Sequence, residues 1–173
     1  MKRSRYLFLL LAVFSWGLLG CGRSGTDQEE LGEGEYYLYY TNQTFTKLRT
    51  EVYRSGGDDP VSLAEELLDG MREAPKNMEL LSVIPEEVRV TRTQLGDGGQ
   101  LFVYFNAAYT AMEPIREIMC RAAVVKTLTQ IEGVDYVGFY INDQPLMDAV
   151  NNSINLMSAS SFVESSGNNT AEL

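Results

Sequence analysis

"VVKTLTQIEGVDYVGFYINDQPL", residues 124–146, turns a helix into a strand within a few residues. Val125 and Leu128 continue an apolar stripe that Ile115, Ile118, Met119 and Ala122 begin, and Pro114 stands in the first turn. That spacing predicts a helix over 113–130. Gly133, just after Glu132, supplies the stop. Residues 134–141 are β-branched and aromatic enough for a strand, and Asn142-Asp143 before Pro145 closes it with a turn. A long amphipathic helix that feeds directly into a strand needs a sheet to cover, so the neighbouring segments decide the class.

Upstream of the helix, Gly96-Asp97-Gly98-Gly99 is a hairpin turn, because several of its residues accept positive φ. It joins a strand over about 87–95 to a returning strand over 101–105, and 106–112 reads as a surface loop into the helix. Further back, Leu80, Leu81, Val83 and Ile84 form a short apolar segment ending at Pro85. Asp59-Pro60 is an N-cap and first-turn pair. From it a first helix runs to Asp69, with Val61, Ala64, Leu67 and Leu68 on one face and Gly70 as its stop. Tyr36-Tyr37-Leu38-Tyr39-Tyr40 has high β propensity, and residues 48–53 alternate Leu48, Thr50, Val52 against Arg49, Glu51, Tyr53. The order is strand, strand, helix, strand, strand, helix, strand. It predicts an α+β domain, one mixed or antiparallel sheet with two helices packed on one face. A doubly wound nucleotide fold is disfavoured, since no glycine-rich loop joins a strand to a helix start.

The ends of the chain differ from this middle. Lys2, Arg3 and Arg5 precede an apolar run over 6–16, followed by Gly17-Leu18-Leu19-Gly20 and Cys21. That is the order of a signal peptide, and its apolar core of about a dozen residues falls short of the ~20 that cross a bilayer. Leu18-Leu19-Gly20-Cys21 resembles the bacterial lipobox, in which the cysteine is diacylated on its sulfur and becomes the first residue after cleavage. The expected organisation is a lipoprotein signal peptide over 1–20, lipidation at Cys21, a flexible linker over 21–35, a folded domain over 36–146, and an Asn/Ser-rich, partly disordered tail over 147–173. Within the tail, the scattered apolar residues Ile154, Leu156, Met157, Phe162 and Val163 are enough for one peripheral packed segment.

Charge and composition narrow the function. The 173 residues carry 14 Lys and Arg against 24 Asp and Glu, a net charge of -10. Cleavage after residue 20 would remove three basic residues and bring it near -13. Such a chain excludes a nucleic-acid partner held through phosphates, and its domain is repelled by anionic lipid. There is no histidine, so the commonest general base and zinc ligand are both missing. With Cys21 acylated, Cys120 is the one remaining thiol. In mid-helix beside Met119 and Ala122, it reads as core filling. Adjacent carboxylates at 58–59, 65–66 and 86–87 diverge on a helix or strand, so they do not make the facing pair that glycoside hydrolysis needs. Asp97-Gly98-Gly99 offers one carboxylate where calcium takes 6–8 oxygens. The sequence therefore predicts no catalytic residue, no metal and no cofactor.

Tyr36, Tyr37, Tyr39 and Tyr40 are the expected interaction surface, since a strand places these amphipathic rings on both of its faces. Several segments together resemble one family: "AEELLDG" within 60–70, Ile84-Pro85, the hairpin around Asp97, "YFN" at 104–106, and above all the quoted stretch. These resemble the GerMN domain, named for the GerM sporulation and spore-germination lipoproteins of endospore-forming Gram-positive bacteria. The likeness covers about 36–146. It implies a compact α+β domain with no known catalytic centre, similar to the ring-building motifs of the sporulation channel.

The expectation is a non-enzymatic lipoprotein, anchored by its lipid on the extracytoplasmic face of the cell membrane. It would act through protein partners or self-association in sporulation or germination. The alternative is a lipoprotein that holds a cell-wall glycan or peptide, such as peptidoglycan, on its aromatic surface.

Overall fold

The computed structural model describes residues 31–162. The expected signal peptide, the lipidation site Cys21, most of the linker and the chain from 163 onward lie outside the described residues. Strand β1 (Glu35–Asn42) and β2 (Leu48–Arg54) form an antiparallel hairpin in which Tyr37 faces Val52 and Tyr39 faces Thr50. Helix α1 (Pro60–Arg72) follows. Its N-cap Asp59 accepts the Ser62 N–H at 2.8 Å, and Pro60, lacking an N–H, sits where none is needed. The two-residue β3 (Leu80–Leu81) returns to the end of β1.

β4 (Val90–Leu95) and β5 (Gln100–Phe105) are the expected hairpin, with Gly98 and Gly99 both at positive φ in its turn. A short 3₁₀ turn over Ala107–Ala111 leads into helix α2 (Pro114–Leu128), which crosses back to β6 (Tyr136–Ile141), parallel to β5. The two-residue β7 (Gln144–Pro145) completes the edge. The α+β class holds, as a single domain with two helices. The strands nevertheless divide into two sheets, β2-β1-β3 and β4-β5-β6-β7, in place of the single sheet expected.

Residues at the C-terminal end of α2 supply the reason. Gln130 Oε1 accepts the Tyr37 N–H at 2.8 Å and Gln130 Nε2 donates to the Tyr37 carbonyl at 2.9 Å. Thr127 Oγ1 accepts the Tyr39 N–H at 3.4 Å. Side chains from the helix end thus satisfy the edge of β1 where a neighbouring strand would have joined the two sheets.

The core lies between the helices and both sheets. α1 contributes Leu63, Leu67, Leu68 and Met71, β5 contributes Leu101, Val103 and Phe105, and β6 contributes Val137 and Phe139. Each fully buried side chain of this size is worth about 1.5–3 kcal/mol. The buried face of α2 is partly as expected, since Ala122, Val125 and Leu128 of the predicted stripe and Cys120 are buried. The start of the helix departs from it, with Ile115 and Ile118 53% and 46% exposed, and the second half of α2 also buries Ala123, Val124 and Thr127. Its second half meets β1 and β6 together, so the residues there are covered on most sides whatever the stripe.

α1 also continues past its expected stop. Gly70 is helical, and a Cβ on it would stand 2.9 Å from Leu38 Cδ1 and 3.5 Å from the Tyr53 ring. This glycine permits close packing of helix on strand; it does not end the helix.

The start of the tail belongs to the fold. The Val137 N–H donates to the Met157 carbonyl at 2.8 Å, the reverse bond is 3.0 Å, and Met157 is buried. Ile154 donates to the Leu146 carbonyl at 2.8 Å. Its segment thereby continues the sheet beyond β6 and β7.

Candidate functional site: an aromatic ladder on the outer sheet face

Strand alternation builds a surface from β5 and β6. In β5, Leu101, Val103 and Phe105 point to the core and leave Phe102 and Tyr104 outward and half-buried. In β6, Val137, Phe139 and Ile141 are buried, so Tyr136, Gly138 and Tyr140 face out. The parallel register sets Phe102 beside Gly138 and Tyr104 beside Tyr140, and β4 brings Arg92 opposite Tyr104.

These side chains interlock. The Tyr104 and Tyr140 rings stack with centroids 4.8 Å apart and planes 29° apart. Phe102 meets Tyr140 edge-on at 5.6 Å. The Arg92 guanidinium lies 3.8 Å from the Tyr104 centroid and donates to Asp143 at 3.0 Å. β4 and β6 flank β5 on opposite sides, so Arg92 and Tyr140 cover opposite faces of Tyr104. A Cβ on Gly138 would approach Phe102 Cδ1 to 2.7 Å, which explains the absence of a side chain there. Tail residues Ile154 and Leu156 rim the ladder around a hollow of about 190 Å³.

The tyrosines singled out from the sequence have a different setting. Tyr36, Leu38 and Tyr40 share the face of β1 that meets α1, and Tyr40 is only 3% exposed. Its hydroxyl donates to the Gly70 carbonyl at 2.9 Å, and burial, reinforced by Glu51 and Glu73, pushes its pKa to about 12. Tyr40 is therefore a core residue. Tyr37 and Tyr39 lie on the opposite face with Leu48 and Val52, half-buried, and Lys126 Nζ stands 5.7 Å from the Tyr39 ring centroid. The four tyrosines do not form one surface.

Other candidate chemistry is occupied structurally. Cys120 is buried, and desolvation, with Glu117 adding to it, pushes its thiol to about 12, far from a nucleophilic thiolate at neutral pH. Glu65 accepts from Thr93 Oγ1 at 3.1 Å on β4, whereas Glu66 accepts from the Tyr53 hydroxyl at 2.9 Å and Ser55 at 2.6 Å. The adjacent carboxylates thus point apart. Tyr109 donates to Glu117 at 3.1 Å, and Glu117 pairs with Arg121 at 2.6 Å, tying the 3₁₀ turn to α2. Among the described residues, no group of three or more His, Cys, Asp and Glu could hold a metal ion.

Both strands of the ladder are legible in the sequence, but the ladder itself is not. The alternation of Phe102 and Tyr104, and of Tyr136, Gly138 and Tyr140, was legible. The register that brings the two sets together was not.

Two sheets bridged by two helices, one outer face being aromatic, define a small α+β domain of the GerMN kind. The same architecture occurs in the first GerMN domain of the sporulation protein GerM from Bacillus subtilis, with a TM-score of 0.61 at 18% identity over 73% of this chain and 98% of that one. The tandem GerMN domains of the same GerM give a TM-score of 0.61 at 18% identity, covering 73% of this chain and 46% of that longer chain. At that identity the likeness is one of fold. Residues 37–147 match the family Germane, described as sporulation and spore germination, and the chain belongs to that family. No curated protein is similar to it in sequence.

Proposed function

We propose that this chain is a lipoprotein, tethered through Cys21 to the extracytoplasmic face of the cell membrane. It has no enzymatic activity and serves sporulation or spore germination by binding other proteins through the outer face of the β4–β7 sheet. The observation that carries the protein-binding reading is the double cover on Tyr104. A sugar ring stacks on an open aromatic face, but Arg92 and Tyr140 occupy both faces of Tyr104 and leave neither open to a sugar. Amphipathic aromatics beside an arginine are the residues enriched where proteins meet. The tether rests on the lipobox-like residues 18–21, and the process rests on the family.

The test is genetic and biochemical, in the native host. Deletion should lower the yield of heat-resistant spores or slow their germination, and Cys21→Ser should release the protein from the membrane fraction. Tyr140→Asp should reproduce the deletion phenotype while the protein remains at normal abundance. Normal spores and germination after deletion would refute the process. Retention on purified peptidoglycan that Tyr104→Ala abolishes would replace the protein partner with a cell-wall ligand.

A further inference from the structure

A second surface, sharing no lining residue with the ladder, lies where four elements meet: the β1–β2 turn, the end of α1, the segment around β3 and the start of α2. They enclose an open groove of about 770 Å³. Its apolar walls are Phe45, Pro75, Met78 and Leu81, and it carries two guanidinium groups, Arg72 and Arg116. In a chain of net charge -10, two arginines brought together from positions 44 residues apart are a notable concentration of positive charge.

Both arginines retain donor capacity. Arg116 Nη2 donates to the Ser82 carbonyl at 3.3 Å, and Arg72 Nη2 reaches the Glu86 carbonyl only at 3.5 Å. Arg72 Nη1 lies 3.5 Å from Asp69 Oδ1, a long ion pair whose carboxylate is largely exposed. The Nε atoms of both are buried without a hydrogen-bond partner among the described residues. A guanidinium has five donors, and few of them are used here.

The apolar wall is held open. Phe45 has φ 52, a left-handed conformation that bulky residues rarely adopt. The turn enforces it, because Asn42 Oδ1 accepts the N–H groups of Thr46 at 2.9 Å and Lys47 at 3.1 Å while the Phe45 N–H donates to the Asn42 carbonyl. The Arg116 guanidinium stands 5.4 Å from the Phe45 centroid. On the far wall Glu51 fixes the N–H groups of Lys76 and Asn77 at 3.0 and 2.8 Å, and Met78 beyond them is 92% exposed. A strained aromatic, an exposed methionine and two under-used arginines thus converge on a preorganised groove.

We propose that this groove binds a protein partner through a segment in which a single carboxylate stands beside a large apolar side chain. The carboxylate would take the forked donors of Arg72 and Arg116, and the apolar side chain would lie between Phe45 and Met78. A polyanion is disfavoured, because Asp69 and Glu86 border the groove and the whole domain is acidic. The inference does not depend on the role in sporulation.

The probe is the blocked peptide acetyl-Phe-Leu-Glu-Leu-amide, with its Gln counterpart, titrated against the full chain in detergent micelles by fluorescence anisotropy. The Glu peptide should bind at least about tenfold more tightly than the Gln peptide. Arg116→Gln should erase that preference. Met78→Ser, at a side chain too exposed to affect folding, should weaken both peptides and leave their ratio unchanged. Equal binding of the two peptides overturns the proposal, as does a preference that survives Arg116→Gln in a protein with an unchanged melting curve. It is equally overturned by no saturation up to about 10 mM, or by inorganic phosphate competing as well as the Glu peptide does.

Discussion

Gly70 offers the sharpest test of the fold, because its two readings demand opposite signs. As a mere helix stop or a solvent-facing glycine, its replacement by alanine in what proves to be a continuous helix should stabilise by about 1 kcal/mol. In the structure the added Cβ would stand 2.9 Å from Leu38 Cδ1, inside a wall completed by the Tyr53 ring. Leu38 is buried and has little room to retreat. Overpacking of this kind costs about 1–3 kcal/mol, which outweighs the propensity gain and leaves Gly70→Ala destabilising by about 1 kcal/mol. A double-mutant cycle isolates the contact. Leu38→Ala alone should cost about 2–5 kcal/mol through the cavity it leaves, and in that background Gly70→Ala should turn neutral or stabilising. The expected coupling is thus about 1–2 kcal/mol, measured by urea denaturation followed by far-UV circular dichroism. A stabilised Gly70→Ala single variant, or a coupling below about 0.5 kcal/mol, would refute the close packing of α1 on β1.

The remaining expectations touch other parts of the molecule. Cys120 should resist a thiol reagent such as DTNB at neutral pH until the protein is denatured, and rapid labelling of the folded chain at this residue would contradict its burial. Gly138→Ala should displace the Phe102 ring and cost about 1–3 kcal/mol; a neutral result would mean that the ladder adapts freely. Asp59 and Asp148 are both held below the usual carboxylate range, Asp59 by the Ser62 N–H and Asp148 by the Asn152 N–H. Because their folded pKa values lie below the unfolded ones, the stability they lend is present above about pH 4 and is lost as pH falls through the folded values. Asp59→Asn keeps the cap and should flatten that acid limb; an unchanged slope would show that the cap is not ionic.

What the sequence made legible follows from how local each signal is. Asp59-Pro60 and residues 96–99 declare a helix start and a hairpin through their own backbone preferences, and the structure has both. The extent of the buried face of α2 was not local. Ala122, Val125 and Leu128 of its stripe are buried as read, but Ile115 and Ile118 at its start are exposed, and the second half, wedged against β1 and β6, also encloses Val124 and Thr127. The division into two sheets was less accessible still, since it turns on Gln130, a polar residue at the end of a helix, reaching the backbone of Tyr37 far away in sequence. The tyrosines of β1 had the right composition for a surface, but strand alternation sends Tyr40 into the core with Leu38.

The division into two sheets also decides which surfaces the proposed partners could use. Had β1 joined β4 or β6 directly, the edge that Gln130 and Thr127 now satisfy would be ladder backbone, and α2 would cover one continuous sheet. Instead the α2 end is committed to β1, and the β4–β7 sheet keeps its own outer face, where Tyr104 is clasped by neighbours on both strands. Rings held this way would lose little conformational entropy on binding the proposed partner, so a modest contact area would suffice for useful affinity. The same holds at the β1–β2 turn, where Asn42 fixes Phe45 before anything binds. Both surfaces are assembled from strand register and turn geometry, which makes them properties of the folded domain and not of any short peptide cut from it.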